Sequence, residues 1–238
     1  VAYGREREKE TGKNFRFTLT TNAVLLNDEI TDFLNREMSN VVLSLDGRKE
    51  INDLMRPARN GKGSFDVVSG HIQEFVKARG EKDHYIRGTF TRNNLDFTED
   101  IKEYLDLGYR NLSLEPVVTA EDYGIRREDL PQIMKEYEKL AELYIQKRRE
   151  GDGFTFFHFM LDLDGGPCAI KRLKGCGSGN EYVAVSPKGE IYPCHQFVGQ
   201  TDFIIGDVDS GITRPDIINT FRQASVYTKD KCENCFAR

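Results

Sequence analysis

Apolar positions along the chain switch repeatedly between two periods. Phe15–Thr21 (FRFTLTT) alternates with a period of two, the pattern of a half-buried strand. Asn27–Glu37 changes to a helical period, with Ile30, Phe33 and Leu34 on one face and Asn27 placed as its N-cap. Val41–Asp46 (VVLSLD) predicts a second strand, and Gly47 to Gly63 a loop rich in Gly, Arg and Asn. Ser64 is expected to cap a helix reaching Arg79, with Val67, Val68, Ile72, Phe75 and Val76 on one face. His84–Thr91 predicts a third strand. Thr98–Leu107 predicts a helix with Thr98 as N-cap and Gly108 as its stop signal. Asn111–Val118 predicts a fourth strand, Asp129–Arg149 a long helix with Pro131 in its first turn, and Phe154–Leu161 a fifth strand. The opening, Val1 to Gly12, reads as the tail of an amphipathic helix with Glu, Arg and Lys facing solvent.

Strands alternating with helices at this spacing make parallel βαβ units. Right-handed crossovers then leave an open parallel sheet or part of a (β/α) barrel. Polar residues collect at the strand C-termini: Thr20, Thr21 and Asn22; Ser44 and Asp46; Thr89 and Thr91; Glu115. In parallel α/β folds that edge carries the chemistry. The alternative is that these residues only end strands and cap helices. After Asp162 the character changes: Gly becomes frequent and all five Cys follow. Glu181–Val185 and Glu190–Pro193 flank Ser-Pro-Lys-Gly and predict a short hairpin, and a helix is expected around Pro215–Gln223. A boundary near Leu163–Gly166 divides the chain into domains 1–162 and 163–238.

The length, 238 residues, suits one large domain or one and a half. A net charge of −5 argues against a generic nucleic-acid binder, because phosphate binding needs a basic footprint. No stretch approaches the roughly 18 consecutive apolar residues of a membrane span, and no secretory signal is visible. The expectation is a cytoplasmic protein with neither a nucleic acid nor a membrane as partner. The chain opens on Val1 and stops three residues after Cys232-Glu-Asn-Cys235, which leads to the expectation of an internal fragment of a longer polypeptide.

Five cysteines are too few for a disulfide scaffold of this length, and an odd number reads as metal or redox chemistry. Their pattern is Cys168-x7-Cys176-x12-Gly189-x4-Cys194-x37-Cys232-x2-Cys235. Thiolate is a soft ligand that suits zinc or iron–sulfur clusters. Gly175, Gly177, Gly179 and Gly189 allow backbone N–H groups to approach cluster sulfurs. Iron–sulfur ligation is the favoured reading. A structural zinc site, a redox pair at Cys232 and Cys235, and unliganded buried thiols are the alternatives.

Cys176-x12-Gly189-x4-Cys194, followed far downstream by Cys232-x2-Cys235, resembles the SPASM-type auxiliary iron–sulfur domain of radical SAM peptide maturases. That family's pattern is Cys-x(9–15)-Gly-x4-Cys, a gap, then Cys-x2-Cys-x5-Cys-x3-Cys. Thr20-Thr21-Asn22 and Ser44-Leu45-Asp46-Gly47 resemble strand ends in the middle of a radical SAM partial barrel. Asp164-Gly-Gly-Pro-Cys168, Gly175-Cys-Gly-Ser-Gly-Asn180 and Tyr192-Pro-Cys-His-Gln196 are most similar to maturases of SCIFF peptides. Those enzymes join a Cys sulfur to the α-carbon of a Thr in a ribosomal peptide.

The resemblance implies an α/β fold: a partial parallel (β/α) barrel of about five strands, followed by a small Cys-rich SPASM-like domain. It implies that Cys168, Cys176 and Cys194 hold a first auxiliary 4Fe-4S cluster, with an iron open to the substrate thiolate. Cys232 and Cys235 would serve a second auxiliary cluster. Ser44 and Arg87 would contact the carboxylate of S-adenosyl-L-methionine (SAM), with Thr20, Asn22 and Asp46 near SAM or substrate. Arg87 as an ordinary strand-end ion pair is the alternative. His195 follows Cys194 where related sulfatase-maturing enzymes carry an Asp proposed as a base. It is a catalytic candidate for proton transfer, or else a His hydrogen-bonded near a cluster or facing solvent. His71, His84 and His158 lack ligand spacing and are expected to be structural. The implied partners are a Cys-rich precursor peptide and a reductant such as flavodoxin or ferredoxin. The family's Cys-x3-Cys-x2-Cys, which binds the SAM-cleaving 4Fe-4S cluster, and its Gly-Gly-Glu-Pro motif do not occur in these 238 residues. The chain by itself is therefore expected not to cleave SAM. A sulfatase or quinone-cofactor maturase, or a zinc-stabilised α/β module without enzyme activity, are the rival readings.

Overall fold

A computed structural model describes residues 1–160 and 176–233. The chain forms two compact units, Val1–Leu161 and Asp162–Arg238. Cys168, Cys235 and the boundary expected at Leu163–Gly166 lie outside the described residues.

The first unit is built on a five-stranded parallel sheet: β1 (Thr18–Thr21), β2 (Asn40–Ser44), β3 (His84–Phe90), β4 (Asn111–Pro116) and β5 (Thr155–Phe156), paired in chain order. The helices are α1 (Ala2–Thr11), α2 (Asp28–Glu37), α3 (Lys49–Met55), α4 (Phe65–Arg79), α5 (Thr98–Asp106) and α6 (Leu130–Arg149). Period-two alternation decides the sides of the sheet. Val41, Leu43, Ile86, Phe90, Leu112, Leu114 and Phe156 are buried in one core with Leu34 of α2, Ile72 and Phe75 of α4, Ile101 and Tyr104 of α5, and Ile133 and Leu140 of α6. The intervening strand positions lie outside that core, so the sheet carries its helical layer on one side. Each large side chain withdrawn from water contributes roughly 1.5–3 kcal/mol.

Asn27 caps α2 as expected, accepting the Ile30 amide at 2.9 Å. Ser64 does not cap α4. Its hydroxyl is drawn to the Arg56 carbonyl, and Asp53 accepts the Phe65 amide instead, at 2.7 Å. Thr98 is already helical, and its amide and hydroxyl are both satisfied by Glu136 of α6. The stretch 47–63, expected as loop, contains α3. The fifth strand ends at Phe156, where a 3-10 turn (Phe157–Phe159) brings Phe159 against Phe156 and Tyr144. Helix α1 buries none of its residues, so it is polar all round rather than amphipathic. Arg5 fastens it to the carbonyls of Phe15 and Glu37.

The second unit contains an antiparallel sheet of β6 (Ala184–Val185), β7 (Glu190–Tyr192), β8 (Gly206–Asp207) and β9 (Gly211–Ile212), paired in that order. Two helices follow, α7 (Pro215–Gln223) and α8 (Asp230–Glu233). Ile191, Ile205 and Ile218 make a small core. Phe197 packs on Phe203 and Phe221, with ring centroids 4.3 and 5.4 Å away. The turn between β6 and β7 needs Gly189, whose φ is +87°. The glycine of the Gly-x4-Cys spacing is thus explained by a hairpin turn. Among the described residues no helix is long and apolar enough to cross a membrane.

Candidate functional sites in the two units

In the first unit, the side of the sheet away from the helices carries Thr20, Val42, Ser44, Tyr85, Arg87 and Glu115. Parallel registration sets Ser44 beside Arg87, and Thr20 beside Val42, one step behind. Thr89 of β3 stands opposite Glu115 of β4. The Arg87 side chain is 48% exposed and one of its guanidinium nitrogens lies 2.5 Å from the Glu115 carboxylate. That single contact leaves most of its donors for another anion. Among the described residues, the hydroxyls of Thr20 and Ser44 have no hydrogen-bond partner. A guanidinium beside a free hydroxyl is a donor set that suits a carboxylate ligand.

Two other expected residues are used differently. The Asn22 side chain accepts the Val24 amide at 3.2 Å and shapes the turn after β1. That turn holds Ala23 in a left-handed conformation, φ +61°, with its carbonyl 3.0 Å from Nδ1 of His71. Asp46 is buried, and Arg56 grips both carboxylate oxygens, at 2.6 and 3.1 Å. The same carboxylate accepts the Thr89 amide at 2.9 Å. Asp46 thereby ties the segment after α3 to the end of β3.

Beside it, the Tyr104 hydroxyl donates to the Leu45 carbonyl at 2.5 Å and accepts the Gly47 amide at 2.7 Å. Burial, together with the Asp46 and Asp100 charges, holds this phenol well above the usual tyrosine range. Burial likewise raises the Asp100 carboxyl, which is held by Arg48 and Asn94. These groups define the sheet edge after β2.

In the second unit, Cys194 lies just after β7 and is 8% exposed. Cys176 is exposed, and Cys232 on α8 is half-buried. The Tyr182 hydroxyl donates to Cys194 Sγ at 3.1 Å. This hydrogen bond, then burial, then the Cys194 and Cys176 charges push the phenol up to about 12. The Gly179 amide is shared between the carbonyls of Tyr182 and Pro193, at 3.0 and 2.8 Å, and Ser178 Oγ donates to the same Pro193 carbonyl. The turn after Cys176 is thus fastened beside Cys194. Two soft donors on two fastened segments suit an iron–sulfur or zinc centre. Among the described residues no third His, Cys, Asp or Glu joins them. The third ligand implied by the spacing, Cys168, lies outside the described residues.

His195 is exposed, with Nδ1 3.6 Å from Cys194 Sγ, longer than a nitrogen–oxygen hydrogen bond but within reach of the sulfur. His71 and His84 are tied to backbone carbonyls and His158 packs edge-on against Phe156. The spacing argument passed over Tyr182 and Arg56. Tyr182 had one signal, its place in a Gly-punctuated turn directly after Cys176. Arg56 had none, because its partner is ten residues away across α3.

No protein-family model matches the chain. An uncharacterized protein of Archaeoglobus fulgidus is 27% identical over 234 residues, covering 93% of this chain and 54% of that protein. A cysteine-type anaerobic sulfatase-maturating enzyme of Clostridium novyi is 25% identical over 239 residues, covering 93% of this chain and 61% of that enzyme. The chain thus spans between half and two thirds of the length of these curated relatives. The solved structure of native anSMEcpe with bound AdoMet and Kp18Cys peptide shares the fold. It has a TM-score of 0.74 at 19% identity, over 99% of this chain and 69% of that one. The similarity to these proteins therefore extends along nearly the whole of this chain.

Proposed function

We propose that this chain serves a radical SAM peptide maturase of the SCIFF type, forming a thioether between a Cys sulfur and a Thr α-carbon of a ribosomal peptide. On this reading the parallel sheet is part of a partial (β/α) barrel, and the second unit is a SPASM-type domain for auxiliary 4Fe-4S clusters. The observation that carries the proposal is that the turn after Cys176 is fastened beside Cys194, at the Cys-x12-Gly-x4-Cys spacing. When bound, SAM with its cluster supplies a radical that removes a substrate hydrogen, and the auxiliary cluster supplies an electron acceptor.

The chain's own residues have separable tasks. Arg87 and Ser44 bind the SAM carboxylate, and Glu115 steadies the guanidinium from its other side. Thr20 adds a hydroxyl to the same face. Cys168, Cys176 and Cys194 hold the first auxiliary cluster, and Cys232 and Cys235 contribute to a second. Forming the C–S bond at the Thr α-carbon, after one hydrogen atom has been removed, releases the thiol proton and one electron. On this reading His195, whose Nδ1 lies 3.6 Å from Cys194 Sγ, takes that proton.

A second reading is favoured by the Clostridium novyi relative: a maturase that acts on a sulfatase, using the same face and cysteines. Two measurements on the full-length protein test both. Anaerobic reconstitution with iron and sulfide is expected to give a broad visible absorption and iron well beyond one four-iron cluster. Incubation with SAM, reductant and a Cys-rich precursor peptide is expected to remove two hydrogens from the peptide while keeping its sulfur. Modification of a sulfatase peptide and not the precursor selects the second reading. Stoichiometric zinc without iron rejects both.

A further inference from the structure

We infer that Tyr182 tunes the reduction potential of the auxiliary cluster held by Cys176 and Cys194, through the hydrogen bond its hydroxyl donates to Cys194 Sγ. This inference rests on the cluster reading above. The hydroxyl meets the sulfur at 3.1 Å, and the backbone that carries the two side chains is itself fastened. The Gly179 amide reaches both the Tyr182 and the Pro193 carbonyls, and Ser178 pairs with Tyr182 in a β-bridge. The residues that anchor the phenol and the sulfur are therefore stapled by one peptide group. Tyr182 is 41% exposed, so water is available to its ring, yet its hydroxyl is directed at the buried sulfur. The other group near that sulfur, His195 Nδ1, stands farther away at 3.6 Å on an exposed side chain.

A donor on a ligand sulfur withdraws electron density from the cluster. It stabilises the reduced form, which carries the extra negative charge, and so raises the potential. The consequence falls on the last step of crosslinking. There the substrate radical would lose one electron and the thiol its proton as the C–S bond forms, and an oxidised cluster held by these cysteines would supply the acceptor for that electron. A higher potential favours transfer in this direction. Tyr182 is a positioning residue here: it acts on the cluster through Cys194 and touches no substrate.

The test is an EPR-monitored potentiometric titration of the full-length reconstituted protein, wild type against Tyr182→Phe. The signal lost in a Cys194→Ser variant identifies the cluster concerned. Tyr182→Phe is expected to lower the potential of that cluster alone, with iron content unchanged. An unchanged potential at full iron content overturns the inference and leaves the cluster reading standing. Absence of iron from the wild type removes the cluster reading itself, and the inference with it. If Tyr182→Phe fails to hold the cluster, 3,5-difluorotyrosine at position 182 replaces it. Its more acidic hydroxyl is expected to raise the potential at a pH where it stays protonated, and no shift there overturns the inference.

Discussion

Replacing Tyr104 by Phe removes one oxygen atom and leaves two buried backbone groups without a partner. The side chain is fully buried, and its hydroxyl serves the Leu45 carbonyl at 2.5 Å and the Gly47 amide at 2.7 Å. The surroundings are tight, since a methyl group at Gly88 would stand 2.4 Å from that hydroxyl. Each orphaned group costs about 1–3 kcal/mol, and relief from burying the hydroxyl itself offsets part of this. The expected net loss is about 3 kcal/mol. For a chain of this size that corresponds to a fall in Tm of roughly 6–12 °C. Tyr109→Phe is the internal control. It is also buried, but its hydroxyl makes one long contact, 3.3 Å to the Ser69 carbonyl. Its loss is expected near 1 kcal/mol, or roughly 2–4 °C. Thermal and urea unfolding followed by circular dichroism measures both. Equal losses for the two variants, or a Tyr104→Phe loss under 1 kcal/mol, would refute the claim that this phenol pins the edge after β2.

Gly88→Ala is expected to cost about 1–3 kcal/mol or more, because its Cβ would meet the Tyr104 hydroxyl, the Leu45 carbonyl and Leu114 at under 3 Å; urea unfolding reads this directly. Ala23→Gly is expected to stay within about 1 kcal/mol of wild type, since relief of the left-handed strain offsets the lost methyl burial and the gain in chain entropy, whereas Ala23→Val is expected to lose more than about 2 kcal/mol in the same assay. The hydrogen bond from Arg48 holds the Asp96 carboxyl below its ordinary range. A carboxylate depressed in the folded state contributes stability above its unfolded pKa and loses it as pH falls through the folded value. The difference between wild type and Asp96→Asn is therefore expected to be constant above about pH 5 and to vanish near pH 2. Partial exposure keeps it under about 1 kcal/mol, and a difference that grows on acidification would contradict the assignment.

The parallel sheet was readable because most positions of β2 and β3 alternate between the core and the outward face. Val41 and Leu43 face the core while Val42 and Ser44 do not, and β3 repeats this with Ile86 against Tyr85 and Arg87. Helix α3 escaped because it is only seven residues long, and its apolar positions Ile51, Leu54 and Met55 sit within a run rich in Gly, Arg and Asn. It is held by Asn52, whose side chain accepts the Asp46 amide and donates to Ser64, and such a network depends on residues far apart in sequence. The shortened β5 has a similar cause, as the aromatic contacts of Phe159 outweigh the strand preference of Phe157 and His158. The neighbourhood of Ser44 and Arg87 follows from strand register, which composition does not encode. Asp46 shows the limit in the other direction: a carboxylate at a strand end reads as available until Arg56 is seen gripping it. The cysteines were legible because their spacing is linear information. Tyr182 was not, because its hydroxyl meets Cys194 twelve residues away, across segments joined at the Gly179 amide.

The two-sidedness of the sheet has an evolutionary consequence. Val41, Leu43, Ile86 and Leu112 carry the helices, whereas Val42, Ser44, Tyr85 and Arg87 lie outside that core. Substitutions at the second set can alter what the face recognises while the first set keeps the scaffold standing. Divergence is then free to run deep on one side of each strand. A lineage built this way changes what the outward face presents through a few strand positions, without crossing a valley of unfolded ancestors.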